Sequence, residues 1–325
     1  MKVLVTGGSG YIGSVTIRRL MAAGHEIAIF DNLERGHRES IPGGVSLHVG
    51  DLRDAESIRA AVKAEKPDAV MHFAAYALVG ESMRQPELYF GNNVSGGVNL
   101  LEAMRAEDVR HIVFSSSCAT YGEPGTDLIS EETPQRPTNP YGESKLIFEK
   151  MLRWYGEIHG FKTMALRYFN ACGAEGELGE DHRVPCETHL IPLVLRVALG
   201  QAEKAKIFGD DYATPDGTCI RDYVHVSDLA DAHLRALESG VTGAVNLGTG
   251  RGFSVREVVE SARRVTGCAV PAEVTPRRGG DPDKLVAKVG LAYEKLGWKA
   301  AYTDIDAIVE SAWKWHVAHP HGYSK

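Results

Sequence analysis

The sequence predicts an α/β fold: a doubly wound parallel sheet followed by a smaller C-terminal α+β domain. Short apolar runs alternate with stretches of helical length, which is typical of βαβ units. Several runs lack polar alternation, which indicates strands covered on both faces. The predicted strands are Lys2–Thr6, Glu26–Phe30, Val45–Val49, Ala69–Phe73, His111–Ser115 and Thr163–Tyr168. The predicted helices between them are Ile12–Ala23, Ala55–Ala64, Ser95–Arg105 and Tyr141–His159.

The alternation ends near Cys172, and we place a domain boundary there, between residues 1–172 and 173–325. The second region starts with a Gly- and Glu-rich stretch, followed by a predicted helix over His189–Leu199 and by loop-like segments. A helix over about Val226–Leu237 and a strand at Ala244–Leu247 come next. These two elements can pack back on the first domain, which would make the boundary irregular.

Charge and composition narrow the class of protein. The 325 residues are 43% hydrophobic and 24% charged, as in ordinary globular proteins, and the net charge of −7 argues against a nucleic-acid partner. We find no apolar run long enough to span a membrane and no signal-peptide pattern at the N-terminus. We therefore expect a soluble, cytoplasmic protein.

The cysteines argue against a structural disulfide or zinc site. None of the five forms a C-x-x-C pair, so a reducing compartment and the absence of a metal are expected. They are Cys118, Cys172, Cys186, Cys219 and Cys268.

A glycine-rich turn lies between the first predicted strand and the first helix. Gly7, Gly10 and Gly13 have G-x-x-G-x-x-G spacing, with Tyr11 and Ile12 before the last glycine. Glycines permit a tight turn and close backbone approach to a pyrophosphate, and the helix N-terminus supplies unpaired N–H groups. Although glycine turns are common, this strand–turn–helix context favours a dinucleotide site in a Rossmann-type domain.

Residues at the ends of the next strands indicate which dinucleotide binds. Asp31 ends the second strand, where a carboxylate can accept a hydrogen bond from the ribose 2′-OH and would repel a 2′-phosphate; NAD is therefore favoured. Asp51 and Leu52 follow the third strand, and Asp51 could equally reach the adenine or cap the next helix. The fourth strand ends in residues that suit either cofactor approach or plain packing: Phe73, Ala74 and Ala75.

Tyr141 and Lys145 form a candidate acid/base pair. They stand at i and i+4 of a helix that starts near Pro140, so they share one face. A phenol with a pKa of about 10 is a poor base near neutrality, and a nearby ammonium together with the positive nicotinamide ring would lower that pKa. The alternative is an exposed pair on an amphipathic helix. Ser115, Ser116 and Ser117 follow the fifth strand, where an open parallel sheet binds its ligands.

These motifs resemble the extended short-chain dehydrogenase/reductase family, nearly from end to end. The resemblance is closest to members that interconvert UDP-glucose and UDP-galactose by reversible hydride transfer from C4 to bound NAD, through a 4-keto intermediate. The segments that carry it are Thr6–Gly13, Asp31–Leu33, His72–Ala75, Val79–Ser82, Asn92–Val94, Phe114–Ser117, Tyr141–Lys145, Leu166–Asn170, Asp216–Val226, Asn246–Gly248 and Arg277–Asp281.

The resemblance implies a role for each matching residue. Tyr141 would be the acid/base, Lys145 would tune it, and Ser117 would share the hydrogen bond to the sugar hydroxyl. Further cofactor contacts would come from Asn32, Asn92, Ser115 and Tyr168. The C-terminal domain would bind the nucleotide sugar through Asn170, His189, Leu190, Lys206, Phe208, Arg221, Tyr223, Arg278, Asp281 and Leu285. A homodimer would form through two helices, at about Leu88–Met104 and Tyr141–His159.

Departures from the family pattern leave alternatives. Ala77 stands where some relatives carry a lysine, and Leu285 stands where relatives vary between an aromatic and a small residue, so acceptance of UDP-N-acetylhexosamines stays open. A related 4,6-dehydratase would carry Asp-Glu after its catalytic hydroxyl residue, whereas Ser117 is followed by Cys118 and Ala119. A non-catalytic NAD-sensing protein would not need Tyr141 or the groups around it.

Overall fold

The computed structural model describes residues 1–182, 187–278 and 281–323. Its strands are β1 Lys2–Thr6, β2 Glu26–Asp31, β3 Ser46–Val49, β4 Ala69–His72, β5 His111–Ser117, β6 Lys162–Tyr168, β7 Asn170–Cys172, β8 Ala205–Phe208, β9 Ile220–His225, β10 Gly243–Leu247, β11 Gly252–Ser254, β12 Ala272–Thr275 and β13 Lys284–Leu285. Its helices are α1 Tyr11–Ala22, α2 Ala55–Glu65, α3 Val79–Ser82, α4 Pro86–Tyr89, α5 Gly96–Ala106, α6 Pro140–His159, α7 Leu190–Ala198, α8 Val226–Ser239, α9 Val255–Thr266, α10 Leu291–Leu296 and α11 Ile305–Ala318.

A seven-stranded parallel sheet with the order β10-β6-β5-β4-β1-β2-β3 forms the centre of the fold. The predicted Rossmann-type doubly wound sheet is therefore confirmed, and the six predicted strands agree with the observed ones to within two residues. The strand β10 pairs with β6, and α8 packs against α1. Residues beyond 172 therefore complete the first sheet, and the two-domain division of the chain stays our interpretation.

Both faces of the sheet are buried, which explains the continuous apolar runs. In β1, Val3 and Val5 belong to one hydrophobic core, which also contains Ile17 of α1. Leu4 belongs to a second core on the opposite face, together with Ile58 of α2. Because helices cover both faces of the sheet, the strand residues that point to either face are apolar.

The C-terminal region contains small sheets that the sequence pattern did not reveal. One joins β7, β9, β11 and β13, and another pairs β8 with β12. The segments of β8 and β9 read as loops because their strands are short and their partners lie far away in the chain. The helices α7, α9 and α11 pack over a third core.

Among the described residues, no helix has the length and apolar character needed to cross a membrane.

Candidate active site

A cleft with a volume of about 1100 Å³ lies at the carboxyl ends of the parallel strands. Strand order reverses between β1 and β4, and such switch points are where open α/β sheets bind their ligands. The cleft is lined on one side by the glycine-rich turn and on the other by loops of the C-terminal region. One cleft therefore connects the glycine-rich turn with the C-terminal loops.

The glycine-rich turn has the form of a pyrophosphate cradle. Gly7 has φ +75°, and a Cβ there would lie 2.5 Å from the Ala74 backbone nitrogen. A Cβ at Gly13 would overlap the Gly7 carbonyl oxygen. Gly10 is the N-cap of α1 and provides no side-chain cap, and the first turn has no acidic residue. The N–H groups of this helix end can therefore bind an anion, and the residues present fit a dinucleotide.

Asp31 ends β2 beside this cradle and is held by the backbone. Its carboxylate is buried and accepts hydrogen bonds from Ser9 N at 3.0 Å and Leu33 N at 2.8 Å. Asp31 and Asn32 both line the cleft. This fixed carboxylate lies where the sequence analysis expects the ribose 2′-OH of NAD.

Asp51 does not line the cleft. Its carboxylate accepts bonds from Arg53 Nε at 2.9 Å and Nη2 at 2.6 Å, which hold its pKa well below the usual range, and from Asn32 Nδ2 at 3.1 Å. It does not cap α2 either, because Asp54 accepts from the first-turn N–H groups. The helix-cap alternative for Asp51 is therefore wrong, and its contact with the adenine stays a prediction; Leu52 lines the cleft.

Tyr141 and Lys145 lie together at the floor of the cleft. Asn139 caps the start of α6, and Pro140 occupies its first turn, which fixes both side chains one turn apart. The Lys145 ammonium group is buried, donates to the Ser115 carbonyl at 2.7 Å and lies 5.9 Å from the centre of the Tyr141 ring. The exposed-pair alternative is excluded by this burial.

The lowering of the Tyr141 pKa, expected from Lys145 together with the positive nicotinamide ring of bound NAD, stays a prediction. Burial raises the pKa of Tyr141 to about 12, although a hydrogen bond with Ser117 partly opposes this. Burial also lowers the pKa of Lys145 to about 7, with Glu149 opposing. Burial is the largest cause of both pKa shifts, and the Lys145 ammonium is directed at the Ser115 carbonyl oxygen.

The serines of β5 point to different partners. Ser115 Oγ hydrogen-bonds the Tyr168 hydroxyl, and Ser117 Oγ accepts from Ala119 N at 3.1 Å while facing Tyr141. Ser116 does not line the cleft; its hydroxyl donates to Glu149 at 2.5 Å. The three serines belong to the strand itself, which extends to Ser117, two residues beyond the predicted end.

The C-terminal wall of the cleft contains two arginines. Arg221 Nη1 donates to the carbonyl oxygens of Ile220 and Pro282, each at 2.9 Å, and Nη2 lies 3.5 Å from Asp281 Oδ1. The guanidinium of Arg278 stacks over Phe208 at 3.8 Å. Both guanidinium groups are thus held in place beside the cleft, and planar guanidinium groups suit phosphate oxygens.

Four predicted sugar-nucleotide contacts lie outside the cleft lining. Tyr223 and Leu190 pack in the C-terminal core, and Lys206 is exposed on β8. The Phe208 ring lies beneath the Arg278 guanidinium. Contacts of these four residues with the nucleotide sugar stay predictions.

The remaining predicted residues do line the cleft, and their roles stay predictions. On the cofactor side they are Gly7, Gly10, Tyr11, Ile12, Gly13, Asp31, Asn32, Leu52, Phe73, Ala74, Ala75, Asn92, Ser115, Tyr141, Lys145 and Tyr168. On the substrate side they are Ser117, Tyr141, Asn170, His189, Arg221, Arg278, Asp281 and Leu285. Ala77 also lines it. Two glycines of the Arg277–Asp281 motif, Gly279 and Gly280, lie outside the described residues, as does Cys186.

Sequence reasoning missed a second polar group in the cleft, formed by Glu180, His182, Thr188 and His189. Only His189 was predicted. The nearby repetition of an acid followed by histidine two residues later, Glu180-Asp181-His182 and Glu187-Thr188-His189, is the signal that could have found it.

Comparison with known proteins places this geometry in a family. Residues 3–248 match the model of the NAD dependent epimerase/dehydratase family. The chain is 52% identical to the UDP-glucose 4-epimerase of Halalkalibacterium halodurans, covering 100% of this chain and 98% of that protein.

Two solved structures agree with this relationship. The UDP-glucose 4-epimerase of Brucella ovis in complex with NAD is 48% identical, with a TM-score of 0.92 over 96% of this chain and 97% of that one. The enzyme from Bifidobacterium longum in complex with NAD⁺ and UDP is 38% identical, with a TM-score of 0.94 over 99% and 100%. The chain therefore belongs to the NAD dependent epimerase/dehydratase family, which confirms the resemblance found in the sequence.

Proposed function

We propose that this protein is an epimerase that interconverts UDP-glucose and UDP-galactose by inverting C4 of the hexose. The observation that carries the proposal is the position of Tyr141, Lys145 and Ser117 between the glycine cradle and the two arginines, in one continuous cleft. A nucleotide sugar anchored at the arginines would extend its hexose toward Tyr141. The names of the similar proteins support the same reaction.

The glycine cradle and Asp31 would hold NAD, with the nicotinamide end toward Tyr141 and Lys145. The bound cofactor would accept the hydride from C4 and return it to the opposite face of the sugar. Because the hydride returns, the reaction needs no net oxidant. Asp31 would hold the adenine ribose, and the unpaired N–H groups at the start of α1 would hold the pyrophosphate.

Tyr141 and Ser117 would handle the proton at O4. Ser117 faces Tyr141 and partly opposes the rise of its pKa, so a sugar hydroxyl placed against both side chains could bond to each. Tyr141 would take the O4 proton as C4 is oxidised and give it back as the 4-keto group is reduced. Burial raises the pKa of Tyr141 to about 12, so the phenol keeps its proton near neutral pH, and the positive nicotinamide ring of NAD would lower that pKa.

Arg221 and Arg278 would bind the UDP phosphates. This anchoring matters because the keto sugar must turn over while the nucleotide stays in place. Binding energy from a remote, non-reacting group serves that purpose. Leu285 pairs with Arg221 across β13 and β9 and would lie at the hexose end of the same wall.

A 4,6-dehydratase reaction is disfavoured by the residue after Ser117. Elimination across C5 and C6 would need a general acid and base there. Cys118 occupies the position, and its burial raises the pKa of the thiol to about 12. A thiol held neutral in this way is a poor base near neutral pH.

The outer faces of α5 and α6 would form a homodimer interface. Val98 on α5 and Trp154 and Ile158 on α6 are exposed apolar side chains, with Ile158 66% exposed. Exposed apolar groups on neighbouring helices are typical of an interface. Light scattering of the double variant Trp154→Glu, Ile158→Glu would test this interface.

The protein should work in the cytoplasm, because its four described cysteines are free thiols. Cell fractionation would test this location.

The function is tested by incubating purified protein with UDP-galactose and separating the products. We expect UDP-glucose to appear with no added cofactor, and the same equilibrium mixture to form from UDP-glucose. The absence of conversion in both directions, in protein that contains NAD, would contradict the proposal.

A further inference from the structure

A cluster of acidic and imidazole groups lines the cleft, apart from Tyr141 and the arginines. Glu180 Oε1 lies 3.4 Å from His182 Nε2 and 3.2 Å from His189 Nδ1. The candidate ligand atoms of all three residues lie within 4.8 Å of one another. The group therefore brings three donor atoms of mixed type to one point.

Two of the three distances between these atoms are close to the edge of a metal coordination tetrahedron. Zinc binds imidazole nitrogen and carboxylate oxygen at about 2.0–2.2 Å, which puts neighbouring tetrahedral ligands about 3.3 Å apart. The two measured edges from Glu180 agree with this value. Two imidazoles with one carboxylate select a zinc-type ion over magnesium or calcium, which prefer all-oxygen sites.

The burial of the cluster is a second, independent observation. Glu180 is only 6% exposed, and burial raises its pKa to about 8. Nε2 of His182 is buried and has no hydrogen-bond partner among residues 1–182, 187–278 and 281–323, although it faces Glu180. Either a shared proton or a bound cation would satisfy the buried carboxyl group and the ring nitrogen directed at it.

The surroundings hold the three side chains in position. The His182 ring packs edge-on against Tyr11, with ring centres 6.0 Å apart, and lies 4.8 Å from the His189 ring. His189 is the N-cap residue of α7 and also contacts Glu187, with Nδ1 and Oε1 2.7 Å apart. A cation here would tie the segment before residue 183 to the start of α7.

We propose that Glu180, His182 and His189 form a binding site for one divalent transition-metal ion of the zinc type. The ion would bind Glu180 as carboxylate and the two histidines as neutral imidazoles, displacing the proton between His189 and Glu187. It would fix the cleft wall next to Tyr11 and leave a fourth position toward the cleft. Because the cysteines form no pairs, the sequence predicts no metal. The cysteine pattern has no bearing on this site, whose ligands are histidine and glutamate.

The test uses untagged full-length protein, stripped with a chelator and then supplied with Zn²⁺. We expect the protein to bind about one zinc per chain, measured by atomic emission and by competition with a chromophoric chelator. Glu180→Gln, His182→Gln and His189→Gln should each weaken zinc affinity by about 10-fold or more. Two variants serve as matched controls. Glu177→Gln changes a carboxylate three residues before Glu180 that contacts His319, and His159→Gln changes a histidine on α6. Both variants should bind zinc like the parent.

A second arm needs no variant and so does not depend on their folding. Co²⁺ added to the stripped parent should give the strong visible bands of a four-coordinate ion, and Zn²⁺ should displace them. The proposal is overturned if the parent takes up no zinc from excess Zn²⁺, which would make the cluster a set of ion pairs only. Equal zinc affinity in all three variants, with circular dichroism like that of the parent, would also overturn it.

Discussion

The two walls of the cleft are built in different ways. The cofactor wall consists of residues 7–13 with Asp31, and there the backbone itself forms the site: a positive φ, an overlap that only glycine avoids, and an open helix end. The substrate wall consists of Arg221, Arg278 and Leu285, whose side chains reach the cleft from separate segments. The first wall depends on the absence of side chains, and the second on their exact placement.

This difference explains how far the sequence could predict the site. The glycine spacing is local, and its meaning follows from one strand, one turn and one helix, so the cofactor wall could be predicted. The placement of Arg221 depends on β9, whose pairing with β13 joins residues far apart in the chain. Only the family resemblance indicated such residues, and it also indicated Tyr223 and Lys206, which do not line the cleft.

The largest expected effect lies where the two walls meet. Tyr141→Phe removes the hydroxyl that hydrogen-bonds with Ser117 and should lower kcat by roughly 10²–10⁴, the usual worth of a positioned acid/base. UDP affinity should stay unchanged, because the arginines are untouched. Steady-state kinetics and calorimetry with UDP measure the two quantities. A variant with near-parental kcat would remove Tyr141 from the chemistry.

On the substrate wall, Arg221→Ala and Arg278→Ala should each weaken UDP binding by about 2–3 kcal/mol, the worth of a charge-assisted hydrogen bond. The effect should appear in KM and in UDP affinity, and little in NAD content. Arg277→Ala is the matched control, because Arg277 pairs with Asp211 and stacks on Tyr212 away from the cleft. Equal UDP affinities in all three variants would mean that Arg221 and Arg278 do not bind the UDP phosphates.

On the cofactor wall, Gly13→Ala should act through the backbone. The added methyl group would overlap the Gly7 carbonyl oxygen, and relief of the clash should cost about 1–3 kcal/mol. We expect NAD content per chain to fall while UDP affinity is retained. Gly43→Ala is the control, because its Cβ would meet no atom within 4 Å. Loss of UDP affinity together with NAD would show that the two walls are not independent.

Substitution of Lys145, which lies between the two walls, tests how burial of its charge affects the stability of the folded protein. Its folded-state pKa of about 7 is below the ordinary 10.5, so the ammonium is destabilising in the folded state. This penalty is complete below pH 7 and fades as the pH rises toward 10.5, where lysine is neutral in both folded and unfolded states. Lys145→Met should therefore stabilise NAD-free protein by on the order of 2 kcal/mol at pH 7 and by less toward pH 10.

Urea unfolding of Lys145→Met at several pH values measures this stabilisation. The exposed Lys150 on the same helix supplies the control: Lys150→Met should show no such pH dependence. A stabilisation of Lys145→Met that does not change with pH would mean that the lysine charge is not its cause.

The smallest effect concerns the choice of sugar. If Leu285 limits the space at the hexose, the parent should turn over UDP-N-acetylglucosamine measurably but more slowly than UDP-glucose. Leu285→Tyr should abolish the first reaction and spare the second, and Leu285→Ser should improve the first, within about 1–3 kcal/mol. Comparing kcat/KM for both sugars decides this. Parallel losses on both would mean that Leu285 is a packing residue, since it also contacts the main core.

If C4 is oxidised and then reduced by the same bound cofactor, hydrogen at C4 stays with the sugar, and isotope retention measures this. UDP-glucose that carries deuterium at C4 should be converted to UDP-galactose in ordinary water, and the product should be analysed by mass spectrometry and NMR. The account predicts that the deuterium stays at C4 of the galactose with no loss to solvent. Replacement of the deuterium by solvent hydrogen would mean that the C4 bond is broken by proton abstraction, which would contradict the assignment of Tyr141, Lys145 and the cofactor wall.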